Sequence, residues 1–270
     1  MPAAWSPLVV APAAAFLAIM YAVRPGPTVV GRLRLAAVLA ALATGTYAVL
    51  TVELLGAFDA LTAPALAVAW LIFLAAAATI AWRRRRPARW APAAGRLRSF
   101  WRTASRGERL LAGTTAGLVL VELAIALLAE PNNFDSQTYH LPKIEHWVAQ
   151  GSLDFWPTIN HRQVTIPPGA EYLLLHLRLF TGGDALYNLV QWAAGVGCLL
   201  IASRIAAQLG GGRRAQLITA FVVATTPLVA LQATSTQTDL VAAAWTGCVA
   251  TLVLDGLSRR ATPGSVLALG

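Results

Sequence analysis

Two aspartates stand where an acid can work at the edge of an apolar phase. Asp135 lies six residues beyond the predicted end of an apolar run, in the stretch Pro131, Asn132, Asn133, Phe134, Asp135, Ser136, Gln137, Thr138, Tyr139, His140. A carboxylate there faces the headgroup layer. It can take a proton from an acceptor hydroxyl while the lipid part of a substrate stays in the bilayer, which is general-base chemistry. The plainer reading is a helix N-cap or a surface acid. Asp239 follows the polar run Thr234, Ser235, Thr236, Gln237, Thr238 and opens another apolar run. Two carboxylates on separate helix ends can share a divalent cation or a cationic partner, and Asp239 serves equally well at the start of its own helix.

The stretch from 130 to 184 gathers the titratable groups. It holds all four histidines (His140, His146, His161, His176), the single lysine, Lys143, and six of the twelve acids. A connection of this length between apolar runs is too long to be a mere link. It carries helical signals of its own. Leu141, Ile144, Trp147 and Val148 fall at helical spacing after Pro142, and Gly151 closes that run. A second helix is expected over 171–180, opened by Pro167, Pro168 and Gly169, closed by Gly182 and Gly183, with Tyr172, Leu175 and Leu179 on one face. Both are expected at the membrane interface. The histidines do not have zinc spacing: His140 and His146 are six apart, His161 and His176 fifteen, and no H-E-x-x-H pattern occurs. They read as hydrogen-bonding groups on short helices.

The elements that must position these residues are membrane spans. The chain has 270 residues, 57% hydrophobic and 12% charged, against roughly a quarter charged in a soluble domain. Apolar runs near the ~20 residues that cross a hydrocarbon core can be drawn at 6–23, 35–51, 61–82, 110–129, 185–209, 215–233 and 239–257. Backbone in lipid must satisfy its own hydrogen bonds, and the alternation of a barrel strand is absent, so the expected fold is all-α with about seven spans. Glu122 falls inside the fourth run, where an unpaired charge costs roughly 2.5 to 3.5 kcal/mol, so it is expected to face protein or water or to be neutral. Cys198 and Cys248 sit in apolar runs and read as small packing residues.

The net charge of +9 is concentrated: ten of the twenty-one basic residues lie between Arg83 and Arg109, opposed there by Glu108 alone. Beside apolar spans this reads as a cytoplasmic topology signal and a contact for anionic lipid, rather than as a nucleic-acid site. Arg24, Arg32, Arg34, Arg204, Arg213, Arg214, Arg259 and Arg260 fall on the same alternate connections, which places those connections inside and the acid-rich ones, including 130–184, outside. The expected organisation is three N-terminal spans over 1–82, a basic cytoplasmic linker over 83–109, and a module over 110–270 with its outer loop at 130–184. The apolar start of another run at 262–270 suggests a truncated chain.

From 131 to 245 the chain resembles the N-terminal module of the GT-C membrane glycosyltransferases, the superfamily of protein mannosyltransferases and aminoarabinose transferases. The likeness rests on Phe134, Asp135, Ser136, Gln137, Thr138 and Tyr139 after a span, on Pro142, His146 and Trp147, on Gly151 and Ser152, on Pro157 and Thr158, on Pro167, Pro168 and Gly169, and on the helix from Pro227 to Thr238 and Asp239. It implies an inverting transferase of the plasma (inner) membrane that moves a sugar from a polyprenyl-phosphate carrier to a lipid, glycan or protein acceptor on the outer face. The base would be Asp135, supported by Asp239, with substrate contacts expected from Tyr139, His140, Lys143, His146, Arg162 and Gln163. The family often has a second acid directly after the first. Here Ser136 stands in that place, and a divalent cation is left open as the one candidate cofactor.

Two other readings stay beside this one. A transporter or lipid-handling protein needs ionisable groups or broken helices near the midplane, for which Glu122 and Pro227 qualify. A non-catalytic membrane subunit or fragment needs neither aspartate.

Overall fold

The computed structural model describes residues 6–84 and 93–258, and every regular element in them is helical. The predicted features at 85–92, within the basic linker, and at 262–270, the start of a further run, lie outside the described residues, as do Arg259 and Arg260. The helices are α1 (Ala11–Ala22), α2 (Arg32–Gly56), α3 (Ala63–Arg83), α4 (Ala93–Thr103), α5 (Arg106–Leu128), α6 (Leu141–Gln150), α7 (Arg162–Thr165), α8 (Ala170–Thr181), α9 (Asn188–Gln208), α10 (Arg213–Thr225), α11 (Pro227–Ala233) and α12 (Asp239–Ser258).

The chain is a polytopic membrane protein. Among the described residues five helices, α2, α3, α5, α9 and α12, are long and apolar enough to cross a bilayer, and α10 with α11 makes a sixth if that pair, bent by 68°, is one span. The bend falls at Pro227, which lacks the N–H that would continue the hydrogen-bond ladder. The run predicted as a span at 6–23 forms a 3₁₀ turn (Pro7–Val10) and α1. At about 2.0 Å per residue in the 3₁₀ turn and 1.5 Å in α1, these sixteen residues reach about 26 Å, short of a core of ~30 Å.

Local signals fix the helix starts. Ser105 and Glu108 form a reciprocal capping box at α5, with Glu108 accepting from the Ser105 N–H at 2.8 Å. Thr62 caps α3 ahead of Pro64.

The bundle has two chemically distinct ends. At one, arginines tie helices together: Arg34 donates to Ser203 (2.5 Å) and Gln216 (2.8 Å), and Arg213 to Glu108 (2.8 Å). The fully buried Arg204 donates to Thr251 and to Asp255 (2.6 Å). At the other end, Asn188 at the start of α9 donates to the Ala129 carbonyl (2.9 Å) and accepts from Thr236 (2.6 Å), so the segments after α5 and before α12 meet there. The connection between α5 and α9, with its short helices, occupies that second end.

Both helices expected in this connection are present, and both pack into the core. Gly151 and Gly182 close α6 and α8 with φ of +71°, a conformation other residues adopt at a cost. Ile144 and Trp147 of α6 and Tyr172, Leu174 and Leu175 of α8 share one buried cluster with Val52 of α2 and Leu61. Phe180 of α8 joins a second with Ala48, Leu66, Trp70 and Ala15. The Tyr172 hydroxyl donates to Glu53 of α2 at 2.5 Å. The three N-terminal helices therefore share their core with the loop helices.

Candidate functional site

The turn that carries Asp135 is built by Asn133. Its side-chain oxygen accepts from the Ser136 N–H at 2.8 Å, as capping asparagines do, and Gln137 reaches back to the Pro131 carbonyl at 2.8 Å. The chain then runs through a five-residue π turn, Ser136–His140, into α6. Wide turns of this kind re-aim side chains. Here Tyr139 stands four residues beyond Asp135, in the field of its carboxylate.

The same Asn133 oxygen accepts from Gln237 at 2.9 Å. Gln237 is two residues from Asp239, which sits in the first turn of α12, where the positive end of the helix dipole favours a carboxylate. Asp239 is thereby held at the Asp135 end of the bundle. Burial and the charges of Asp135 and Asp239 push the Tyr139 phenol up, while Arg162 opposes them. Arg162 is exposed, its guanidinium carbon 5.7 Å from the Tyr139 ring centroid. Tyr139 thus lies in the field of both carboxylates with Arg162 beside its ring, groups of the kinds that can accept a proton and offset an anion.

The other residues singled out from the sequence are positioned differently. Gln163 donates to the Thr138 carbonyl at 2.9 Å and accepts from Thr158 (2.9 Å) and Trp156 (3.3 Å). Asn160 donates to the same carbonyl at 3.0 Å, so two amides fasten the 156–163 segment behind the Asp135 turn. His146 is exposed and stacked on Trp156, with centroids 4.3 Å apart.

His140 and Lys143 are buried and turned towards an acid whose role the sequence did not reveal. Glu171 is 1% exposed, and its Oε1 lies 2.9 Å from His140 Nδ1 and accepts from Lys143 Nζ at 3.1 Å. Its Oε2 accepts from the Gly169 N–H at 3.0 Å, and Lys143 also donates to the Ile166 carbonyl at 2.9 Å. Burial opposes ionisation of Glu171. The His140 hydrogen bond, the Lys143 charge and the backbone donors outweigh it and hold the carboxyl at about 2. Lys143 is thus committed to Glu171, whereas Arg162 lies beside the Tyr139 ring.

His176 lies apart from the other histidines, its Nδ1 donating to the Tyr172 carbonyl at 2.6 Å and its ring edge-on to Trp70. Among the described residues no group of three or more His, Cys, Asp or Glu side chains is placed to hold a metal ion. Glu122, inside α5, has an Oε1 that is buried without a hydrogen-bond partner.

No protein-family model, curated protein or solved structure matches the chain.

Proposed function

We propose that the protein is a membrane glycosyltransferase of the GT-C kind, taking a sugar from a polyprenyl-phosphate carrier by inverting displacement, with its site on the outer face of the plasma membrane. The carrying observation is the convergence of Asp135, Tyr139, Arg162 and Asp239 at one end of an apolar bundle. In this reading Asp135 removes the acceptor hydroxyl proton, the oxygen attacks the anomeric carbon, and the carrier leaves as its phosphate. Arg162 offsets the charge of that leaving group, and Asp239 supports the same pocket. Exposed Phe134 and Ile159, each next to a residue that anchors the Asp135 turn or its brace, give the polar site apolar neighbours suited to a lipid-linked substrate.

The test is transfer from labelled polyprenyl-phosphate sugars in membranes carrying the protein. General-base catalysis contributes typically 10²- to 10⁴-fold, so Asp135→Asn at equal protein level is expected to lower transfer by about that factor. No transfer from any donor, or undiminished transfer by Asp135→Asn, overturns the reading.

A transporter or lipid-handling function has its own supporting observation in the partnerless Glu122 oxygen and the 68° bend between α10 and α11. Under that reading Glu122→Gln abolishes function while Asp135→Asn spares it.

A further inference from the structure

Helix α4 joins two spans, α3 and α5, without being apolar itself, and it is amphipathic. At 100° per residue Leu97, Phe100 and Trp101 fall on one face, and Arg98, Ser99, Arg102 and Thr103 on the other. Leu97 is 58% and Trp101 41% exposed, so the apolar face is not used up by the bundle. On the opposite face Gly95, Arg98, Ser99, Arg102 and Thr103 line a single cleft. The two arginines are one helical turn apart, with hydroxyls beside them.

The location of α4 is constrained at its C-terminal end. Ala104 and Ser105 alone separate it from α5, a membrane-length helix. Arg213, at the start of α10, donates to the Thr103 carbonyl (3.0 Å) and hydroxyl (3.1 Å), and its guanidinium carbon lies 5.8 Å from the Phe100 ring centroid. The helix is therefore fastened where two apolar helices begin, at the arginine-rich end of the bundle. Its own sequence contains no acid, and nearby Glu108 is engaged by Arg213 and the Ser105 N–H.

We infer that α4 lies in the headgroup layer of the bilayer, with Leu97 and Trp101 in the acyl boundary and Arg98 and Arg102 holding the phosphate of an anionic phospholipid. Amphipathic helices with aromatic and aliphatic residues on one face and arginines on the other adopt this position, the long cationic side chains reaching to the phosphates. The cleft supplies what a phosphate diester requires: two guanidinium groups and the Ser99 hydroxyl. The bilayer that contains α5 is the source of that ligand. The assignment stands whatever the opposite end of the bundle does.

Hydrogen–deuterium exchange over 93–103 tests it, using the whole chain in nanodiscs of phosphatidylcholine alone or mixed with phosphatidylglycerol. Phosphatidylglycerol is expected to slow exchange about tenfold or more, since each basic residue near an anionic surface contributes roughly fivefold. Arg98→Gln with Arg102→Gln should remove the difference between the two lipids, and the corresponding double lysine variant should keep part of it. Raising salt to about 1 M should erase the difference in the unaltered chain, a check that does not depend on any variant folding. Equal exchange in the two lipids overturns the inference. So does protection that survives the glutamine pair, or protection produced by inorganic phosphate in discs of phosphatidylcholine alone.

Discussion

Asn133 and Gln237 share one hydrogen bond of 2.9 Å across 104 residues of sequence, and that bond joins the turn bearing Asp135 to the approach to Asp239. Because the Asn133 oxygen also caps the Ser136 N–H, its loss loosens both the turn and the link. A double-mutant cycle with Asn133→Ala and Gln237→Ala, followed by thermal unfolding in detergent, should give a coupling of about 1 kcal/mol. Asn133→Ala should cost more than Gln237→Ala. Strict additivity would mean that the two segments are held together by other contacts.

Glu171 is the anchor of the loop. Replacing it by Ala leaves Lys143 buried without its carboxylate, and breaking such a pair costs about 3 kcal/mol or more. The loss should appear as faster proteolysis across 141–181 while α9 and α12 stay protected. Against an ordinary value of 4.5, a folded value of about 2 means that the carboxyl supports the fold fully above pH 4.5 and withdraws that support as pH falls towards 2. Glu171→Gln should flatten stability across that acid window.

His176 gives a second, higher window. Burial holds its imidazole at about 4, below the ordinary 6.5, so between these values an unfolded chain binds a proton that the folded chain excludes. Stability should fall by about 3 kcal/mol as pH drops from 6.5 to 4, and His176→Phe should be level over the same range. Between pH 6.5 and 4.5 the effect is free of Glu171. Unfolding temperatures measured at half-unit steps will separate the two, and an unchanged slope in the phenylalanine variant would remove His176 as its cause.

The pattern of what could be read from the sequence follows the range of the forces involved. The loop helices were legible because Pro142, Gly151 and Gly182 act on their own neighbours, and the observed bounds, Leu141–Gln150 and Ala170–Thr181, follow those signals closely. The burial of α8 was not legible, because helical spacing identifies an apolar face without naming what covers it. Glu171 looked like one acid among six in its stretch. Its partners are 28 and 31 residues away, and only the packing of α6 on α8 makes them adjacent. Arg162 and Lys143 were equivalent as loop cations until that pairing separated them. Hydropathy likewise marks solubility in lipid without measuring length, which is why the first apolar run satisfied the pattern and yet forms a helix of only twelve residues after a 3₁₀ turn.

The contact between α2 and α12 depends on a missing side chain. A Cβ on Gly45 would stand 2.7 Å from Cζ2 of Trp245, a separation that requires the indole or one of the helices to move. The indole is rigid and its contact atom belongs to the six-membered ring, so bending a flexible chain end cannot relieve the clash. Gly45→Ala should therefore destabilise by about 1 to 3 kcal/mol, the usual range for overpacking, despite the better helix propensity of alanine. Trp245→Phe in the same chain removes the second ring and should restore most of the loss. Thermal unfolding of the two single variants and the pair in one detergent decides the matter. If Gly45→Ala raises the midpoint, propensity outweighs the contact and the two helices are not packed through this pair.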